Sequence, residues 1–359
     1  MSEKTAHRST FARLEERVAR ICARAQEPLD LLAAVAAEVR SEIPYAAGGW
    51  LLTDPDTMLI TGVYAENVTR AQHLALIECE LTTDDVNKFV ELARCDIPAA
   101  SLSAATGGDL SRSTRWSLIY RPNGYGDELR SVFSSASTTW GHVCLTRKAA
   151  DPLFTVDEVD LVARLCSHIG NGIRACLQLA SGSGIPASGA AALLMLADDG
   201  SVESMTPEVT EWLGPVENEQ LESTIVLHEV AQRARTLAES GVGAAAMART
   251  RGRSGDWILV RGIRLERDGP GTGCTALVLE PARRSDIAPL LVHLHQLTPR
   301  EKEVTQRLLS GMPTREIAGE LWITTETLRG HVKAIFAKLG VSSRAELAAL
   351  LTDGPVVRR

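Results

Sequence analysis

Basic side chains recur at helical spacing near the C-terminal end of this sequence of 359 residues. A helix over 325–339 presents Arg329, Gly330 and Lys333 on one side. Its opposite side carries an apolar stripe about 60° wide, made of Leu328, Val332, Ile335 and Leu339. The major groove of B-DNA admits an α-helix, from which long cationic side chains reach guanine or phosphate. The pattern predicts a DNA-reading helix, although a solvated surface helix can carry the same charges.

Capping signals define two helices ahead of this basic helix. Thr298 is predicted to cap a helix that has Pro at its first position and Glu301 at its third, a combination that forms a capping box. That helix is predicted to end at Gly311, and a second helix follows over 314–321. Only a short turn then separates the second helix from the basic one, as in a helix-turn-helix.

The same signals define the end of the basic helix and the start of the next. Thr324 is the predicted N-cap of the basic helix, and Gly340 is predicted to end it in a left-handed conformation. Ser343 and Glu346 predict a further capping box and therefore a fourth helix. Four short helices in this order predict an all-α domain over 296–353.

These segments resemble the LuxR/NarL-type helix-turn-helix through four strings: Leu297-Thr-Pro-Arg-Glu301, Glu316-Ile-Ala318, Thr325-Glu-Thr-Leu-Arg-Gly-His-Val-Lys333 and Ile335-Phe-Ala-Lys-Leu-Gly-Val341. The resemblance implies a domain that binds double-stranded DNA as a homodimer, with base-edge contacts at Arg329, Gly330 and Lys333. It also implies contacts nearer the phosphates at Thr325 and Lys338, and we predict further DNA contacts at Thr314 and Arg315. Gly330 departs from the family pattern, which usually has a side chain there, and Pro313 stands where a Ser or Thr cap is common.

The charge distribution agrees with a DNA-binding module on an acidic body. The formal net charge is −7, but residues 297–359 carry ten Lys and Arg against seven Asp and Glu. Residues 1–296 therefore carry a formal charge of −10. A surplus of three charges is weak by itself, so the placement of the basic residues carries the prediction.

Length and composition set the broad class of the protein. The chain is long enough for two or three domains, and its 45% hydrophobic and 23% charged residues are typical of globular proteins. No apolar run approaches the roughly 18–20 residues that cross a bilayer, and residues 1–10 contain no signal-peptide core. We therefore expect a cytoplasmic protein that does not enter a membrane.

Residues 10–180 predict an α+β domain in which helices flank an antiparallel sheet. Helices are predicted over 11–25, 29–43, 70–92 and 156–177, and strands over 49–52, 59–64, 128–135 and 139–146. Asp127-Glu-Leu-Arg130 and Trp140-Gly-His-Val-Cys-Leu-Thr-Arg147 resemble a GAF domain, a small-molecule sensor fold. Small residues over 179–189 predict a connector after this domain.

Residues 190–284 predict a smaller α+β domain. A hairpin of strands over 193–196 and 202–205 is followed by helices over 207–213 and 222–239 and by strands over 244–249, 257–265 and 274–279. This order of elements resembles a PAS-type domain. The predicted fold class is thus a multidomain chain with a GAF-like domain, a PAS-like domain and an all-α helix-turn-helix domain.

No arrangement of residues in the front domains predicts a catalytic site, a metal or another cofactor. The seven cysteines include no Cys-x-x-Cys pair. Two alternatives stay open: a haem or redox site that uses Cys166, His168 and Cys176, and an enzyme with a catalytic thiol at Cys79, Cys95 or Cys144. We predict a one-component regulator that a small molecule or a partner controls at the front domains, with the ligand site unassigned.

Overall fold

The protein is described from a computed structural model, which covers residues 2–180, 191–216, 221–241, 243–266 and 273–353. Most of the predicted connector at 179–189 lies outside the described residues. The chain divides between Pro281 and Ala282 into two compact units, here called the first unit and the second unit. Among the described residues, no helix has both the length and the apolar character that a membrane span requires.

The first sheet of the first unit is antiparallel and has the strand order β2-β1-β5-β4-β3. Its strands are β1 (Ala47–Thr53), β2 (Ile60–Glu66), β3 (Ala99–Ser101), β4 (Tyr125–Ser135) and β5 (Thr138–Lys148). In β1 and β5, Leu51 lies opposite His142 and Gly49 lies opposite Cys144. Because directly paired residues of neighbouring strands share a face, these four residues lie on one side of the sheet.

Six helices of the described chain accompany this sheet: α1 (Ser2–Arg24), α2 (Pro28–Glu42), α3 (Arg70–Thr82), α4 (Phe89–Leu92), α5 (Leu102–Ala105) and α6 (Val156–Ala180). The long helix α6 packs on β3, β4 and β5 and also against α1 and α2. Trp50, Phe133 and Trp140 are fully buried in the core. The helix α4 packs on β4.

The predicted single helix over 70–92 is wrong, because the chain breaks between α3 and α4. The helix α3 ends at Thr82, and Thr83 is already extended. Asn87 then takes a left-handed conformation with φ 57°, which Asn tolerates better than most residues. The carboxylate of Glu80 accepts the backbone N–H of Phe89 at 2.9 Å, so α4 restarts against the end of α3.

The second sheet repeats the topology of the first, with the order β7-β6-β10-β9-β8. Its elements are β6 (Ala192–Ala197), β7 (Val202–Met205), α7 (Pro207–Leu213), α8 (Leu221–Ser240), β8 (Met247–Arg251), β9 (Trp257–Glu266) and β10 (Gly273–Pro281). The sequence shows no matching repeat. The helix α8 packs on β8, β9 and β10 and also reaches β2 and α3, so it joins both sheets.

A buried ion pair also joins the two sheets of the first unit. The carboxylate of Asp54, in the turn after β1, accepts bonds from the backbone N–H of Arg249 at 2.9 Å and from its Nε at 2.8 Å. Both side chains are almost fully buried, at 1% and 2% exposure. Because every one of these bonds is charge-assisted, the pair fixes the β1–β2 turn against β8.

The second unit is helical throughout its described residues: α9 (Arg284–Leu294), α10 (Pro299–Leu309), α11 (Thr314–Glu320), α12 (Thr325–Leu339) and α13 (Arg344–Leu351). Its core contains Val304, Ile317, Leu328, Ile335 and Leu347, which are all fully buried. The helix α9, which sequence reasoning left without a structure, packs against α13. The first unit thus contains two α+β layers, one around each sheet, and the second unit is helical, which confirms the predicted fold class. The exact domain limits and the PAS-like assignment stay predictions.

Candidate nucleic-acid interface

The basic helix α12 has the bounds that its capping residues predict. The hydroxyl of Thr324 accepts the backbone N–H of Thr327 at 3.0 Å. Gly340 ends the helix with φ 67°, and its N–H bonds to the carbonyl of Phe336. Local residues therefore supply one cap bond at each end of α12.

The polar side of α12 is open to solvent. The side chain of Arg329 is 73% exposed and its ion pair, with Glu326 at 3.3 Å, is equally exposed. Lys333 is exposed as well. A Cβ added at Gly330 would meet no atom within 4 Å, so the surface between the two cations is flat. On the opposite side, Leu328, Ile335 and Leu339 of the predicted stripe are buried, whereas its fourth member, Val332, is only partly buried.

The predicted DNA contacts at the start of α11 and α12 also lie on the surface. Thr314, Arg315 and Thr325 are exposed, and α11 packs against α12. Pro313 is the N-cap of α11 and offers no capping side chain. Backbone N–H groups at such a helix start are available to an anion. The assignment of individual residues to bases or phosphates stays a prediction.

Lys338 differs from the other predicted contacts because it is already engaged. Its ammonium lies 2.6 Å from the Glu301 carboxylate and 3.1 Å from the carbonyl of Gln296. Glu301 in turn accepts the backbone N–H of Thr298, which completes the predicted capping box of α10. Burial opposes the charge of Glu301, but Lys338 and Thr298 outweigh it and lower the pKa of this carboxyl. Lys338 therefore fixes the end of α12 to the start of α10.

The second predicted capping box is only half correct. Ser343 caps α13 as expected, because its hydroxyl accepts the backbone N–H of Glu346 at 3.1 Å. The return bond from the Glu346 carboxylate, however, goes to the backbone N–H of Ser342 at 2.7 Å. The Glu346 carboxylate therefore bonds to the backbone N–H of the residue before the N-cap, and not to that of Ser343 itself.

Trp322 is a feature of this surface that sequence reasoning missed. It lies in the turn between α11 and α12 and is 93% exposed. Its backbone has φ 54°, a left-handed conformation that is uncommon for a bulky residue. The sequence alone could have drawn attention to Trp322, because a large aromatic residue is unexpected in the short turn of a helix-turn-helix.

The thiols proposed for a haem or redox site belong to the core of the first unit. Cys166 and Cys176 are 2% and 0% exposed, and burial raises their pKa values to about 12 and 11. His168 lies 3.6 Å from Glu15. No cluster of three potential metal ligands occurs in the part of the chain that the structure describes. Buried thiols with raised pKa values are inert, so the geometry favours a packing role.

The thiols proposed for catalysis have a similar environment. Burial raises the pKa of Cys144 to about 11 and also raises the pKa of Cys79. Both stay protonated at neutral pH, and the thiol form is a weak nucleophile. Cys95 is exposed. These environments give no support to a thiolate nucleophile at Cys79 or Cys144.

The second unit matches a known family. The family model for bacterial regulatory proteins of the luxR family covers residues 295–351. The spore germination protein GerE of Bacillus subtilis is 44% identical over 50 residues, which are 14% of this chain and 68% of GerE. The transcriptional regulatory protein UhpA of Escherichia coli K12 is 43% identical over 58 residues. Those residues are 16% of this chain, which thus spans only 30% of the length of UhpA.

A solved structure is similar to part of this chain at a much lower level. The GAF domain from Acinetobacter phosphoenolpyruvate-protein phosphotransferase aligns with 52% of this chain and 100% of that domain. The sequence identity is 12% and the TM-score is 0.34.

Proposed function

Because this chain belongs to the luxR family of bacterial regulatory proteins, we propose that it is a transcriptional regulator that binds double-stranded DNA through its second unit. The observation that carries the proposal is the exposed cationic side of α12, where Arg329 is 73% exposed. A capped helix with a buried apolar side and a flat basic side is what a major groove accommodates.

In this proposal α12 enters the major groove and Arg329 and Lys333 reach base edges. Thr314, Arg315 and Thr325 lie against the phosphates and fix the position of the helix. Lys338 donates two of its three N–H bonds within the unit, which leaves one for a phosphate. Its main role is to hold α12 at a fixed angle to α10.

Trp322 extends the proposed interface to the turn ahead of α12. A left-handed backbone conformation costs stability in a residue that carries a side chain, and the ring of Trp322 is 93% exposed to solvent. DNA that covers the turn would supply the missing contact. We therefore place Trp322 against the sugar–phosphate backbone at the edge of the groove.

The protein acts as a homodimer on a two-fold DNA site in this proposal. One helix contacts only a few base pairs, and two half-sites one helical turn apart supply the specificity that one cannot. The front region, predicted as a GAF-like domain over 10–180 and a PAS-like domain over 190–284, acts as the sensor. A small molecule or a partner that binds there changes the affinity of the dimer for DNA. The raised pKa values of Cys79 and Cys144 argue against a thiolate nucleophile at these two residues.

Because the DNA sequence that the protein recognises is unknown, the test begins by selecting it. The full chain is used to select duplexes from a random pool, and the enriched duplex and a scrambled copy are titrated by fluorescence anisotropy. We expect enrichment of a two-fold symmetric sequence, two protomers per duplex and at least a 10³-fold preference over the scrambled copy. A pool that shows no enrichment over several rounds would contradict the proposal.

A further inference from the structure

A single carboxylate lies on the cationic side of α12. At about 100° per residue, Glu326 lies about 20° from Lys333 and about 60° from Arg329 around the helix axis, so the three side chains share one face. Glu326 is the second residue of α12, and its side chain is 83% exposed. The first turn of α12 therefore presents an acceptor in the middle of the surface that is proposed to meet DNA.

The charge of Glu326 opposes the attraction of this face for phosphates. Lysine and arginine drive the sequence-independent part of DNA binding through the phosphate backbone, and a carboxylate between them repels the same backbone. Glu326 forms an ion pair with Arg329 at 3.3 Å, but both side chains are exposed. Because an exposed pair of this kind adds little stability, the pair does not account for an acid at this position.

Stabilisation of the start of α12 does not account for the position of Glu326 either. An acid in the first turn of a helix interacts favourably with the N-terminal N–H groups, but Thr327 offers the same turn. Thr327 is exposed and lies about 160° from Arg329 around the axis, away from the cationic face. A glutamate there would complete a capping box with Thr324. Support of the helix start therefore does not require an acid on the cationic face.

The base edges of the major groove offer the donors that this carboxylate needs. An ionised carboxylate only accepts hydrogen bonds, and glutamate pairs with the N4 amino group of cytosine. Arg329 needs the opposite, the O6 and N7 acceptors of guanine. A G·C pair presents both kinds of group along one edge, and the bond of 3.3 Å between Glu326 and Arg329 keeps the two side chains next to each other. The N-terminal residues of a recognition helix are the ones that reach base edges.

We propose that Glu326 is a specificity-determining residue whose carboxylate accepts a hydrogen bond from the N4 amino group of a cytosine, in the base pair that Arg329 contacts or in the one beside it. Thymine O4 and guanine O6 are acceptors, so a carboxylate that faces them is repelled. Glu326 thus weakens binding to other sequences and favours DNA that holds a G·C pair at this place. This inference rests on the proposed function and adds to it the base that the first turn of α12 requires.

Parallel selections from one pool of random duplexes test the proposal, with the full chain and with Glu326→Ala, which removes the acceptor. We expect the full chain to enrich half-sites with one cytosine that Glu326→Ala no longer requires. Replacing that C·G pair by T·A in one half-site exchanges the N4 donor for an acceptor. In fluorescence anisotropy the replacement should weaken the full chain about tenfold and Glu326→Ala less than about twofold. On the scrambled copy, Glu326→Ala should bind about twofold more tightly than the full chain, because the repulsion is gone.

Two control variants separate base reading from charge. Glu303→Ala removes the same charge from the same kind of ion pair, with Arg300 at 2.7 Å, but lies in α10 and should keep the requirement for cytosine. The double variant Glu326→Ala/Thr327→Glu restores the net charge and the acid of the first turn away from the cationic face, and it should still lack that requirement. The three substituted side chains are exposed, and circular dichroism and the melting temperature establish that each variant is folded.

Three results would overturn the role of Glu326. They are enrichment of the same sequence by the full chain and by Glu326→Ala, relaxation at a base other than cytosine, and recovery of the requirement for cytosine in the double variant. Each of these results leaves the proposed function intact, because the full chain still selects DNA. A pool from which the full chain enriches nothing would instead contradict the proposed function and this inference together.

Discussion

Glu229 is a buried carboxyl of the first unit whose protonation depends on folding. Burial raises its pKa to about 8 from an ordinary value of 4.5. The folded protein therefore holds a proton that the unfolded chain releases above pH 4.5. The contribution of Glu229 to the free energy of unfolding should fall as the pH rises from 4.5 to 8 and should change no further above pH 8. Burial lowers the pKa values of His73, His142 and His228 to about 4, 3 and 4, so these histidines act in the opposite direction below pH 6.5.

The variant Glu229→Gln tests this dependence, because glutamine keeps the shape of the protonated carboxyl without titrating. We expect the unfolding free energy of the unmodified protein, measured in urea, to fall relative to that of Glu229→Gln between pH 5 and pH 8. Glu239→Gln, an exposed position in the same helix, should keep the pH dependence of the unmodified protein. Parallel curves for all three proteins would contradict a raised pKa at Glu229.

Trp322 combines an exposed ring with a strained backbone, so two substitutions separate the two effects. Trp322→Gly removes the ring and the left-handed strain, and should raise the local stability of the turn by about 1 kcal/mol. Trp322→Ala removes the ring and keeps the strain. Both variants should bind the selected DNA more weakly, but only the glycine variant should slow amide exchange at the start of α12. Unchanged DNA affinity would remove Trp322 from the interface.

The helix α12 contains a glycine that the surrounding structure does not require. A Cβ at Gly330 meets nothing within 4 Å, and the same holds for Gly319 in α11. Alanine is preferred to glycine inside a helix by roughly 1 kcal/mol. Gly330→Ala and Gly319→Ala should therefore each slow amide exchange in their own helix about fivefold.

The two alanine variants should differ in their effect on DNA. Gly330 lies between Arg329 and Lys333 on the proposed contact side, so an added methyl group there should change the affinity for the selected duplex. Gly319→Ala serves as the matched control and should leave that affinity as it is. Equal effects of both variants on DNA binding would mean that the side of α12 around Gly330 does not face the groove.

Elements with strong local signals could be predicted from the sequence. The bounds of α12 follow from Thr324 and Gly340 because each cap acts on residues within the same turn. The break after Thr82 was missed because an apolar pattern continued through it. The extended Thr83 and the left-handed Asn87 show that turn-forming residues outweighed that pattern there.

Features that depend on distant residues could not be predicted. The bond between Lys338 and Glu301 joins positions 37 residues apart. The spacing of residues along the sequence does not predict such a distant contact. The packing of α8, in the second layer, against α3 and β2 also depends on residues far apart in the sequence. The helices of the second unit could therefore be predicted from the sequence, whereas the packing between the two layers of the first unit could not.

The buried pair of Asp54 and Arg249 is expected to hold the two α+β layers of the first unit together. Asp54→Ala leaves the Arg249 guanidinium, 2% exposed, without its main partner. Breaking one side of a buried pair costs about 3–5 kcal/mol. We expect a loss of that size in the urea unfolding of the first unit. Asp198→Ala breaks the more exposed pair with Arg264 and should cost at most about 1 kcal/mol. Equal losses would contradict the linking role of Asp54.

The central claim is that Arg329 reads bases from the major groove. The most direct test compares the affinities of the full chain, Arg329→Ala and Arg13→Ala for the selected duplex and for its scrambled copy, at one salt concentration. Arg13 is an exposed arginine of α1 and controls for the loss of one charge. Arg329→Ala should lose about 1–3 kcal/mol on the selected duplex and much less on the scrambled copy. Arg13→Ala should match the unmodified chain. An equal loss on both duplexes, or none, would contradict base reading by this helix.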